Sequence, residues 1–156
     1  MCNIRLRSGF ECEHFVAVFR KLVGEVIMAF RQLTLILVED AFAICRLGSD
    51  APIPPWATVG EFSSITRTAD ELSVVCRQDD VPHGIRCERG WRCLRVAGTM
   101  PFSVVGVLAS LTIPLAKAGI SIFAVSTFDT DYLLMKEDHI DKAITALQQA
   151  GHSITN

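Results

Sequence analysis

Residues 119–131, Gly-Ile-Ser-Ile-Phe-Ala-Val-Ser-Thr-Phe-Asp-Thr-Asp, restrict the fold more than any other stretch of this chain. They follow an apolar, helix-like segment and precede a second strand-like run, residues 132–135. Gly119 suits the left-handed position that ends a helix. Ile120, Ile122, Ala124 and Ser126 alternate with Ser121, Phe123, Val125 and Thr127, and β-branched residues are frequent, which predicts a strand. The strand breaks at Phe128-Asp129-Thr130-Asp131, a turn with two carboxylates and an aromatic ring. A polar turn between buried strands is well placed for binding, because loops carry function on a rigid scaffold. Asp residues also occur there merely to shape the turn.

The flanking residues extend the pattern in both directions. Residues 91–97 read as a strand and 98–101 as a turn, with Pro101 at the first position of a helix over 102–118. That helix is apolar on nearly every face, which implies burial on more than one side. Pro114 should loosen it at Ser110, and Gly106 should allow a close approach to a neighbour. Asp138 can cap a last helix with Ile140, Ala143, Ile144, Leu147 and Ala150 at helical spacing and Gly151 closing it. Residues 152–155 form a short final strand. The order β-α-β-β-α-β folds, with right-handed crossovers, into a four-stranded antiparallel sheet with both helices on one face, a ferredoxin-like α+β sandwich. The strand after the first helix lies at a sheet edge, and an exposed edge needs covering.

The first half reads differently. Residues 33–47 suggest a hairpin about a Glu39-Asp40 turn. Pro52, Pro54 and Pro55 fix an extended loop, and residues 56–59 suit one helical turn. Strands follow at 62–67 and 72–77, joined by a turn, and residues 78–90 read as a loop or linker. This half has little room for a full helix.

Composition sets the outer limits. Half the residues are hydrophobic and the formal net charge is −2, with no basic stripe, so neither nucleic acid nor a membrane surface is an expected partner. The six cysteines, at 2, 12, 45, 76, 87 and 93, form no Cys-x-x-Cys pair. They read as small buried hydrophobes of a reducing, cytoplasmic compartment. The four histidines are scattered, so no metal and no cofactor is expected. No paired nucleophile and base sits on a recognisable motif and no phosphate loop is present, so catalysis is not expected. Asp129 and Asp131 are a conceivable carboxylate pair but share one turn. Residues 1–30 are unlike the rest, and neither of the apolar pieces in 1–27 approaches the roughly 20 residues of a membrane span. They are expected to be an extension outside the fold, with Met28 as the natural start; a short amphipathic helix is the rival reading.

Several strings carry a family resemblance: Ala43-Ile-Cys-Arg-Leu before the Pro-rich loop, Phe62-Ser-Ser-Ile-Thr-Arg-Thr, Ala69-Asp-Glu-Leu-Ser-Val-Val-Cys, and above all Ser126-Thr-Phe-Asp-Thr-Asp-Tyr-Leu-Leu. Over about residues 33–154 the chain resembles small bacterial proteins with two ACT modules. It is similar also to the cytosolic arginine sensors of animal growth signalling. The resemblance implies two tandem ACT-like modules, residues 31–88 and 89–156, the first degenerate. It implies a free amino acid held between modules, with its carboxylate at Thr99, Met100, Pro101, Phe102, Ser103 and Val104. Free N–H groups at a helix start attract an anion, and Pro101 has none, so Ser103 and Val104 are the better candidates. The facing turn would contribute Thr127, Phe128 against the aliphatic part and Asp131 against the positive group. The expected function is that of a regulatory protein, paired as a homodimer, with an unidentified protein under its control. The alternatives are a ligand-free dimerisation or partner-binding domain and a small enzyme.

Overall fold

The computed structural model describes residues 32–155. The readings of residues 1–30, Met28 included, lie outside them.

β1, Thr34–Leu47, is the axis of the sheet. The expected hairpin is replaced by this single strand. Glu39 and Asp40 sit in a bulge: the pairing with β4, Cys87–Val96, jumps between Val38↔Cys93 and Phe42↔Trp91. A bulge absorbs extra residues and bends the strand without reversing it. Asp40 Oδ1 lies 3.4 Å from Arg77 Nε, which holds the bulge to the next strand.

β2, Ser64–Arg67, and β3, Leu72–Arg77, form an antiparallel hairpin beside the second half of β1. β4 lies on the other side of β1, followed by β6, Asp131–Lys136, and β5, Phe123–Ser126. The order β2-β3-β1-β4-β6-β5 leaves β5 at an end, as the topology predicts. The last strand departs from expectation. β7, Ser153–Thr155, pairs in parallel with residues 34–36 of β1 rather than with β4. β1 therefore opens the four-stranded sheet expected from residue 91 onward. Its ladder with β4 runs from Leu35 to Cys45, and a ladder of that length outcompetes a three-residue strand for the same edge.

Two helices, α1 at Val107–Lys117 and α2 at Ile140–Gln149, cover one face of the sheet. Leu111, Leu115, Ala143 and Leu147 meet Leu35, Leu94, Val96, Leu133 and Met135 there. α1 begins at Val107, not near Phe102. Gly106 precedes it at φ 83, a left-handed residue outside the helix, so it does not make room within it. Pro114 stands inside α1 and supplies no N–H to the Ser110 carbonyl. His152 fills the gap: its Nε2 lies 3.2 Å from that carbonyl, and its Nδ1 accepts the Leu33 N–H at 3.3 Å. Because Nδ1 accepts, the ring proton is on Nε2. Asp138 does not cap α2; a 3-10 turn, Glu137–His139, leads into the helix with no side-chain cap bond. Gly119 and Gly151 take the predicted left-handed conformations, at φ 69 and 94.

Among the described residues, the other half of the same face carries no α-helix. Ala43, Cys45, Leu72, Val74 and Cys76 lie under Ala57 of the 3-10 turn Pro55–Thr58 and under Val81. Across the sheet, Phe42, Val75, Cys93 and Leu134 form a third cluster. Phe62, just before β2, stacks on Tyr132 of β6 at 4.2 Å and meets Phe42 edge-on at 5.6 Å. The sheet thus curls about this face until β2, β3 and β5 line one groove of about 230 Å³. No helix among the described residues is long and apolar enough to cross a membrane.

Candidate functional site

Two connections meet beside the start of α1: the β4–α1 loop, residues 97–106, and the β5–β6 turn, residues 127–130. The turn is closed by its own threonines. Thr127 N–H donates to the Thr130 carbonyl at 2.9 Å, as does the Thr127 hydroxyl at 2.8 Å. The Thr130 hydroxyl reaches the Val96 carbonyl at 2.6 Å and so ties the turn to the end of β4. Met100 N–H donates to the Asp129 carbonyl at 2.8 Å, linking loop to turn directly.

That linkage brings Phe102 and Phe128 together edge to face, with ring centroids 5.0 Å apart at 83°. Such pairs contribute about 0.5–1.5 kcal/mol beyond their area. Yet both rings are 78% exposed, and Val105 is 89% exposed. These neighbouring connections thus hold three large apolar side chains in water.

The sequence-predicted residues divide into groups. Met100, Phe102 and Phe128 are brought together. The Pro101 carbonyl accepts the Val104 N–H at 2.9 Å, so Val104 is not a free donor. Thr99 and Ser103 are exposed on the loop. The Thr127 hydroxyl is spent within the turn. Asp131 points inward, 8% exposed, and its Oδ1 accepts the Ser126 hydroxyl at 2.5 Å. Its Oδ2 has no hydrogen-bond partner among the described residues.

Ser103 and Val104 are not the start of the helix. Among the described residues, the N–H groups of Val107, Leu108 and Ala109 have no backbone partner, whereas Ser110 N–H bonds the Gly106 carbonyl at 2.9 Å. These three are the donors a helix start offers an anion. Sequence alone passes over them because Pro101 and the apolar run after it promise an earlier start. Gly106 is the available signal, since glycine is accepted just before a helix. Ser126, which holds Asp131, is a further partner that the sequence does not single out.

An ACT domain family model matches residues 86–149, and a model of an N-terminal domain matches residues 40–84. The human cytosolic arginine sensor for mTORC1 subunit 1 is 40% identical over 67 residues, 42% of this chain and 20% of the sensor. The chain thus spans about a fifth of the length of the curated relatives it matches. The ligand-free regulatory subunit of aspartate kinase from Thermus thermophilus superposes with a TM-score of 0.53, covering 74% of this chain and 96% of that one. At 14% identity that likeness shows the fold alone. Protein Atu0741 from Agobacterium tumefaciens, solved by X-ray crystallography, is 41% identical with a TM-score of 0.77, covering 80% of this chain and 93% of that one. With that identity along nearly the whole of the Agobacterium protein, and an ACT match across the part that carries both helices, the chain belongs to the ACT-domain family.

Proposed function

We propose that this chain is an amino-acid-binding regulatory protein with no catalysis of its own. The carrying observation is the pairing of two solvent-exposed aromatic rings, Phe102 and Phe128, on connections fastened together beside an open helix start. A free amino acid presents an anion, a cation and a side chain. The N–H groups of Val107, Leu108 and Ala109 suit the carboxylate. Phe102, Phe128 and Val105 suit the aliphatic part. Asp131, through the oxygen not taken by Ser126, suits the ammonium or a basic side chain, and Thr99, Met100 and Ser103 border the same loop. The two halves of the chain, residues 31–88 and 89–156, are read as ACT-like modules, the first one reduced to strands and 3-10 turns.

A thermal-shift screen of the twenty amino acids tests this. A ligand selective for the folded state stabilises it by about 2.7 kcal/mol at a hundred times its Kd. One amino acid, or a small chemical group of them, should raise Tm. Asp131→Asn should then weaken that ligand about 10- to 100-fold by calorimetric titration. Twenty flat traces would remove the sensor reading.

The exposed side chains favour one other reading, a surface covered by a second copy of the chain, aided by β5, the last strand of the sheet among the described residues. Sedimentation at tens of micromolar, with and without the selected amino acid, separates the two. Dimer with no ligand response supports the interaction domain, and a ligand-dependent dimer places the amino acid between copies.

A further inference from the structure

Cys45, Cys76 and Cys87 are far apart in sequence but come from three neighbouring strands and gather in one cluster beneath the 3-10 turn Pro55–Thr58. We propose that Cys45 and Cys87 are an oxidation site, which closes to a reversible disulfide between β1 and β4. The proposed amino-acid site does not depend on these residues.

Strand register brings the two thiols together. Cys45 and Cys87 are directly opposed across the antiparallel β1–β4 ladder. Next to them, Arg46 N–H donates to the Arg86 carbonyl at 2.9 Å. Antiparallel pairs alternate between hydrogen-bonded and non-hydrogen-bonded, so Cys45 and Cys87 fall on the non-hydrogen-bonded kind, with Cα atoms about 4.5 Å apart and side chains at their closest. Disulfides span Cα separations of about 4.4–6.8 Å, so the strands need not part to form one. Cys76 is less well placed: its register partner on β1 is Ala43, so it stands diagonal to Cys45. Cys93 lies on the opposite face and has no thiol beside it in its cluster. Among the described residues no group of three or more His, Cys, Asp or Glu side chains is placed to hold a metal ion.

Access and reactivity follow from burial. Cys45 is 1% exposed and Cys76 fully buried, while Cys87 is half-buried and is where an oxidant enters. A peroxide is the co-reactant. The Cys87 thiolate attacks one peroxide oxygen; an S–O bond forms, the O–O bond breaks, and hydroxide leaves to become water. The Cys45 thiolate then attacks the Cys87 sulfenic acid; the S–S bond forms, the S–O bond breaks, and a second water leaves. Two thiols lose two electrons and two protons, and the peroxide becomes two waters. Burial pushes the Cys87 thiol up, and hydrogen bonding with Cys76 pushes Cys45 up. The thiolate is the nucleophile, so closure is slow at neutral pH and quickens as the solution is made alkaline.

The test is peptide mapping of the full chain after a small molar excess of hydrogen peroxide at mildly alkaline pH, with free thiols alkylated before digestion. The expected product is a Cys45–Cys87 linked peptide, two hydrogens lighter than its parts, abolished by dithiothreitol and absent from Cys87→Ser. Closure should raise Tm reversibly by roughly 5–10 °C. The inference is overturned if both thiols stay free, if Cys87 runs on alone to the sulfinic acid, or if Cys45 links instead to Cys76 or to another chain. Should Cys87→Ser fail to fold, the wild-type map and its reduction by dithiothreitol still decide.

Discussion

The two halves of the sheet bury the same face by different means. Around β4 and β6 the cover is two α-helices, and the side chains are large: Leu94, Leu111, Leu115, Leu133, Met135 and Leu147 are fully buried. Around β3 the cover among the described residues is the 3-10 turn Pro55–Thr58 together with Val81 and Ile85 of the loop before β4, and beside Leu72 the strands present smaller residues, Ala43, Cys45, Val74 and Cys76. Among the described residues, one half of the face is thus closed by helices over large side chains and the other by turns and loops over mostly smaller ones.

Matched truncations test this most strongly. Leu94→Ala beneath the helices and Leu72→Ala beneath the turn remove the same atoms from positions that are both 0% exposed. Leucine truncations cost about 2–5 kcal/mol depending on how far the site collapses. Helices held by their own hydrogen bonds collapse less than a turn, so Leu94→Ala should cost about 4 kcal/mol and Leu72→Ala about 2 kcal/mol in urea denaturation. Equal costs would erase the distinction.

His152→Ala sharpens it on the helical side. It leaves the Leu33 N–H and the Ser110 carbonyl without their partner, and unsatisfied buried groups of this kind cost about 1–3 kcal/mol. A loss well under about 1 kcal/mol, the scale of one hydrogen bond, would mean that Pro114 opens no gap needing to be filled.

The smallest effect concerns pH. Burial pushes the Cys93 thiol from its ordinary value of 9.0 up to about 12. The folded state then holds its proton where the unfolded chain releases it. The contribution is complete below pH 9.0 and declines as pH rises toward about 12. At pH 10 the loss should be about 1 kcal/mol, from about 1.36 kcal/mol per unit at full slope. Cys93→Ala should flatten this part of the alkaline decline in Tm, and an unchanged decline would assign it to Cys45 and Cys87 beneath the 3-10 turn Pro55–Thr58.

Legibility in the sequence depends on distance along the chain. α2 is legible because Ile140, Ala143 and Leu147 repeat at helical spacing and Gly151 closes the last turn, all within one local stretch. The 3-10 turn at Pro55–Thr58 and the hairpin of β2 and β3 are legible for the same reason. β1 misleads because Glu39-Asp40 looks like a turn until the opposing strand shows where its residues pair. The start of α1 misleads because an apolar run after proline does not reveal the left-handed Gly106. At the candidate site, Phe102 and Phe128 can be named from sequence. The inward turn of Asp131 and the Met100–Asp129 bond cannot, since both depend on how two distant loops meet. The gathering of three cysteines is invisible in their spacing for the same reason.

The single strand running through both halves has a consequence for portability. The stretch that matches the ACT domain, residues 86–149, holds both helices but neither β1 nor β7. Transplanted alone it would present the flank of β4 bare from Cys87 to Val96 and leave Leu94, Leu133 and Met135 without Leu35 across the floor. A cut between residues 88 and 89 would fall inside β4 and part it from β1. In hydrogen exchange, the amides of β1 should open together with those of β4, so a grafted module must carry β1, Thr34–Leu47, with it.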